Sequence, residues 1–196
     1  RIVSEFGYSR SGDETYVFGL GRTFVQDVAR PYARLGYNSK DLNIHMHYMQ
    51  RETIDTMWLL VPNAPLLDNS KDLVADIQYN FEIGNISIVS GIMNQIQLIR
   101  TFGTSIPYDV DANYQGAYSQ LDWKLNNNFK FVGSVRFDRS NIHSVQFSPR
   151  IAVVYFPEKE NQIRISFGRS FQRPNYSELY RRTPDAPAFT SLGAPV

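Results

Sequence analysis

The chain has 196 residues, and its 20 Lys and Arg against 19 Asp and Glu leave a formal charge of +1, which excludes a general electrostatic pull toward nucleic acid or anionic lipid. Cysteine is absent, so neither a disulfide framework nor a cysteine metal site can form. No run approaches the ~18 apolar residues of a transmembrane helix, and an Arg opening inside an apparent strand, with no leader, reads as a fragment.

Period-two alternation runs through most of the chain, and no helical period competes with it. Three weaker strands are predicted over residues 2–9, 15–24 and 32–38. Residues 41–51 set Leu42, Ile44, Met46 and Tyr48 against Asn43, His45 and His47. Residues 72–82 are the clearest strand, with Leu73, Ala75, Ile77, Tyr79 and Phe81 opposed to Asp76, Gln78, Asn80 and Glu82. Weaker alternation follows over 86–97. Residues 114–125 place Ala117, Leu121, Trp123 and Leu125 on one face, and 129–139 do the same with Phe129, Phe131, Val135 and Phe137. Two last strands run from Phe147 through Ile151 and Val153 to Tyr155, and from Ile163 through Ile165 and Phe167 to Phe171. The expected fold is all-β, an antiparallel meander of about ten long strands, each about the 9–11 residues that a tilted strand needs to cross a bilayer.

The connections alternate in kind. Residues 10–13, 39–40, 84–85, 126–128 and 157–161 read as tight turns. The other set includes long loops at 53–71, 98–112 and 172–196, together with two short segments at 25–29 and 140–144. Short turns at one end and long loops at the other are the pattern of an outer-membrane barrel. The opposite strand face carries Asp76, Glu82, Asp122, Lys124, Arg136, Asp138, Arg150 and Arg164, charges that a wet or plugged lumen accepts. Aromatics at strand ends (Phe81, Trp123, Phe129, Phe131, Tyr155, Phe156) gather toward the short turns, as an interfacial girdle does. The whole chain, 1–196, therefore reads as a partial wall of a transmembrane barrel. A soluble β-barrel that buries its apolar face and holds a ligand in its mouth is the alternative.

Phe147-Ser148-Pro149-Arg150, a strand, a Pro-led turn, a second strand and Phe167-Gly168-Arg169-Ser170-Phe171-Gln172-Arg173-Pro174-Asn175 form one run. Gly116-Ala117-Tyr118-Ser119-Gln120-Leu121-Asp122 and Val135-Arg136-Phe137-Asp138 precede it. Together, from Tyr114 to Tyr180, they resemble the mid-barrel signature of TonB-dependent outer-membrane receptors. The resemblance implies a 22-stranded barrel in the outer membrane of a Gram-negative bacterium, a plug domain and a segment engaging the TonB energy-coupling complex. It implies active transport of a scarce nutrient such as an iron–siderophore chelate, cobalamin or an oligosaccharide. The partners expected are outer-membrane lipid, the coupling complex and the nutrient, with no nucleic acid. A non-transporting barrel, an adhesin or a passive pore, would share the alternation without this run.

Candidate substrate contacts in loops and lumen are Trp58, Phe102, Tyr108, Arg173 and Tyr176. Arg136, Asp138, Arg150 and Arg164 are expected to face the lumen or plug, with Arg150 paired to a neighbour such as Asp138. Pro149 lacks a ladder donor and is expected to mark a bulge or weak pairing. Pro174 is expected to end the last strand. His45 and His47 share a face at a spacing that suits a metal, yet no neighbouring ligand supports one, so they read as lumen-lining imidazoles. Met57-Trp58-Leu59-Leu60-Val61 is either a substrate lip or the core of a folded loop. Paired catalytic carboxylates, a Ser/His/Asp set and a phosphate loop are all missing from the sequence, and Gly19-Leu20-Gly21-Arg22 is too short for a dinucleotide site. No enzyme activity, cofactor or metal is expected.

Overall fold

The computed structural model describes residues 1–18, 21–61, 63–158, 160–173 and 179–180. Its strands are β1 (Ile2–Phe18), β2 (Gly21–Asn38), β3 (Leu42–Gln50), β4 (Glu52–Asp55), β5 (Met57–Leu59), β6 (Ala64–Leu66), β7 (Lys71–Ile83), β8 (Ile86–Ile99), β9 (Val110–Lys124), β10 (Phe129–Ser140), β11 (Gln146–Glu158) and β12 (Asn161–Gly168). All lie in one antiparallel sheet. β1 pairs with β2, β2 with β3, β3 with β7, and each later strand with the next. β4 and β5 continue the line of β3 along the same edge of β2, and β6 folds back on β5. β1 and β12 do not pair with each other among the described residues, so the sheet is an open arc of wall.

The first three predicted strands are two. Residues 10–13 do not turn, and residues 25–29 do not connect. β1 and β2 form one long hairpin in a single register, from Ile2 opposite Tyr37 to Phe18 opposite Gly21. The turn signal around Gly12 is absorbed locally. Asp13 adopts a positive φ of 56°, while Gly12 and Glu14 on either side keep their partners Asp27 and Val25. An aspartate tolerates this left-handed conformation at modest cost, and the continuous ladder of β2 outweighs it. One reversal, where Phe18 meets Gly21, replaces the two that the sequence pattern implies, so residues 2–9 run away from the short-turn end rather than toward it, while the strands from Leu42 onward run as expected.

Four connections lie at one end of the sheet and are short: 39–41, 84–85, 125–128 and 159–160. At the 84–85 turn Gly84 supplies a positive φ of 57°, the form of two-residue hairpin that places glycine first. The excursion from β4 to residue 70, the 100–109 loop, the 141–145 connection and residues 169–173 lie at the other end. Pro149 causes no bulge. It sits in regular register opposite Val135, and its carbonyl accepts from the Arg169 N–H at 2.9 Å. Its polar backbone side thus faces β12, just where that strand has ended at Gly168, so no bond to β10 is lost. The irregularity in β11 lies between Tyr155 and Glu158 instead.

The apolar face of the wall is bare. Ile151 and Val153 are 53 % and 44 % exposed, whereas Ala152 and Val154 between and beyond them are 2 % and 5 % exposed. Among the described residues no second layer covers the polar face at Ala152 and Val154, so this contrast marks that face as the concave one, where side chains converge. Apolar residues line up across strands on the convex face: Ile83, Ile86, Trp123, Phe131, Val153 and Ile165 form one row through six strands. On single strands the apolar stretch runs from Phe129 to Phe137 and from Phe147 to Tyr155, close to the ~9–11 residues of a tilted crossing. Phe129 stacks on Tyr155 at 4.8 Å near the short turns, and Phe137 on Phe147 at 4.7 Å near the opposite boundary. Ser90 and Ser119, both on this face, share a 2.9 Å hydrogen bond and so satisfy each other.

The sequence alone suggests that arginine would be far cheaper at Ala152 than at Val153. The burial of Ala152 removes that contrast, because an arginine there meets packed neighbours. Ser166, exposed on the same face, is the proper comparison. Val153→Arg should cost about 2–4 kcal/mol in the intact barrel in lipid, and Ser166→Arg should cost under about 1 kcal/mol. Urea titration of the refolded protein in bilayers measures both; equal costs would contradict a lipid-facing Val153.

Candidate functional site

On the concave face, ladder register brings polar side chains of distant strands into rows. One row runs Asn43, Gln78, Gly91, Tyr118, Arg136 and Ser148, and the next runs His45, Asp76, Met93, Gly116, Asp138 and Gln146. Alternation delivers these residues to one side; pairing makes them neighbours. The Tyr118 hydroxyl donates to Asp76 Oδ1 at 3.3 Å, with Gln78 Oε1 at 3.4 Å. The Arg136 guanidinium lies 5.9 Å from the Tyr118 ring centre and binds both oxygens of Asp138 at 2.8 Å. Farther along, Gln95 donates to both oxygens of Asp72 at 2.9 Å. Near the short turns Lys130 pairs with Asp122 at 2.7 Å.

Two glycines make this packing possible. A Cβ on Gly91 would lie 2.4 Å from the Tyr118 ring and hydroxyl and 2.9 Å from the Ile77 carbonyl. The ring therefore lies flat over Gly91. A Cβ on Gly116 would lie 3.0 Å from Arg136 Nη2 and 3.1 Å from Asp138 Oδ1, so this glycine leaves room for the ion pair.

Of the predicted lumen residues, Arg136 and Asp138 pair with each other. Asp138 does not pair with Arg150, which stands opposite Ser134. That position is four residues along the strand from Asp138, about 13 Å at ~3.3 Å per residue, while Arg136 is two residues away on the same face. Arg150 and Arg164 form no ion pair among the described residues and are exposed to the concave side. His45 and His47 contact each other, Nε2 to Nδ1 at 3.2 Å, with Asp76 directly across from His45. No group of three or more His, Asp or Glu with metal-holding geometry occurs among the described residues.

The loop residues are dispersed. Trp58 is half-buried in β5, and its indole N–H donates to Gln26 Oε1 at 3.1 Å. Its neighbours Met57 and Leu59 are buried with Val25, Val28 and Leu66, so these two residues form the core of a folded loop. Leu60 and Val61 beyond it are exposed. Phe102 is exposed at a positive φ of 51°. Tyr108 meets Tyr180 edge-on at 5.6 Å. Arg173 lies 4.0 Å over the Tyr114 ring. Tyr176 and Pro174 lie outside the described residues.

Sequence reasoning did not select Tyr114, His143 or Phe171 for the site. Ring contacts link His143 to Tyr114 at 6.1 Å and to Phe171 at 5.1 Å. β12 is three strands away from β9, so the chain beyond β12 must turn across the concave face to reach Tyr114. Only the aromatic and cationic composition of these segments could have hinted at it.

A sheet that is apolar on its convex face, polar on its concave face, and turned tightly at one end while folded into loops at the other is the wall of a membrane-spanning β-barrel. The chain belongs to the TonB-dependent receptor-like β-barrel family, whose model matches residues 4–195. No curated protein matches the sequence. The family is one of transporters and receptors, which points this chain to transport across the outer membrane.

Gly91→Ala should displace the Tyr118 ring, break its bond to Asp76 and destabilise the barrel by about 1–3 kcal/mol. Tyr118→Ala in the Gly91→Ala background should cost less than Tyr118→Ala alone. A double-mutant cycle by urea unfolding in lipid checks this; strict additivity would mean that ring and glycine are independent.

Proposed function

We propose that the full-length receptor takes up a scarce, large nutrient across the outer membrane with energy supplied through the TonB complex. An iron–siderophore chelate, cobalamin or an oligosaccharide is the class of cargo. The single observation that carries this reading is the concave face in a chain of this family. It is a dense set of paired and unpaired charges, from Asp122–Lys130 through Arg136–Asp138 to Arg150 and Arg164, suited to contact with a plug. In this reading Arg136, Asp138, Arg150 and Arg164 hold or gate that plug. The ligand is gripped by the long-loop end: residues 53–71, 98–112 and the chain beyond Gln172, with Trp58, Phe102, Tyr108, Arg173 and Tyr176 as contacts. Loops carry specificity when a rigid scaffold positions them.

Uptake of labelled candidate nutrients should be measured in cells bearing the full-length gene, with and without the coupling protein. Accumulation should require the coupling protein, whereas a passive pore would conduct either way. Accumulation indifferent to it for every candidate would reject the transport reading in favour of a passive pore.

A further inference from the structure

At the long-loop end of the concave face lies a cavity of about 300 Å³. Its floor is Tyr114 of β9 with Arg136 and Asp138 of β10, and its wall is made by His143, Phe171 and Arg173. The three rings stand in sequence, Tyr114 to His143 to Phe171, with centroids 6.1 and 5.1 Å apart.

The charge of this lining is uneven. Asp138 is taken up by Arg136 through both oxygens. Arg173 forms no ion pair among the described residues and is exposed. One face of the Arg173 guanidinium rests on Tyr114 at 4.0 Å, which fixes its plane and leaves its N–H edge to donate. A guanidinium held flat in this way presents a fork that matches a carboxylate. Ring walls favour a flat partner that stacks or meets them edge-on. A volume of about 300 Å³ stands at the small end of ligand sites. It admits one substituted ring but not an entire large nutrient.

We propose that this cavity is a subsite for a planar, anionic group of the transported ligand, such as an aromatic ring bearing a carboxylate. Arg173 takes the anionic oxygens, and Phe171 and His143 flank the ring. The assignment rests on the transport reading above.

The test uses purified full-length receptor in detergent and sodium benzoate as probe, with binding followed by saturation-transfer NMR and titration. Benzoate should bind saturably, and benzyl alcohol, which lacks the charged hydrogen-bonded contact, and inorganic phosphate, which lacks the ring, should each bind at least about tenfold more weakly. Arg173→Gln and Phe171→Ala should each weaken benzoate by a similar factor, and Arg173→Lys should recover only part of the loss. Lys40→Gln, in the 39–41 turn at the opposite end, should leave binding unchanged. Heat-dependent gel mobility checks that each variant is a folded barrel. No saturable benzoate binding by the wild type, as when the plug fills the cavity, would overturn the assignment. So would equal binding by folded Arg173→Gln, or phosphate binding as tight as benzoate. Coupled uptake without benzoate binding rejects the subsite alone. Benzoate binding without coupled uptake rejects the transport reading.

Discussion

Hydrocarbon offers no partner for a backbone N–H or C=O, and each unsatisfied group there costs several kcal/mol. The rest of this structure follows from that constraint. Sequential antiparallel pairing closes the backbone from β1 to β12, and the outward side chains are free to be apolar because nothing polar remains behind them. The usual arrangement of a protein is thereby inverted. Ile151, Val153, Ile165 and Phe167 are exposed, and among the described residues the apolar clusters lie toward the long-loop end rather than behind these side chains. Where a polar side chain does face outward in the apolar band, as at Ser90 and Ser119, it is matched across the ladder.

The inner surface obeys a different limit, which is space. Curvature crowds the concave side, so a large residue there needs a small one beside it. Tyr118 lies over Gly91, Tyr32 over Gly7, and the Arg136–Asp138 pair over Gly116. Crowding and hydrogen bonding act together: the ring that fills the space above Gly91 is the one whose hydroxyl reaches Asp76. The result is a polar surface whose members are held by neighbours, a suitable face for a docked domain.

Beyond the apolar band, ordinary globular physics returns. Two small cores form at the long-loop end, one around Val25, Val28, Met57, Leu59 and Leu66, the other around Ile99, Ile106, Val110, Ala112 and Tyr114. Hydrogen bonds join the two regions: Leu67 N–H donates to Thr104 Oγ1 at 3.0 Å, and Asn69 N–H to the Arg100 carbonyl at 2.8 Å. The loops are thus structures in their own right, and the groups they present are positioned before any ligand arrives.

From Leu42 onward the long strands, and throughout the chain the polarity of each face, were legible in the sequence, as was the end at which the tight turns of these later strands lie, because alternation and turn chemistry are local. Ile77 and Asp76 must point apart wherever β7 goes, and Gly84-Asn85 turns on its own. The family resemblance of residues 114–180 was equally a property of the string. Other features were decided only by the tertiary structure. Whether Gly12-Asp13 turns or continues depends on the unbroken partner strand β2. Whether Asp138 meets Arg136 or Arg150 depends on reach and register. That Arg173 rests on Tyr114 depends on a chain crossing three strands of wall. A residue's own neighbours fix which face it occupies, but strands far away in sequence fix what it touches there.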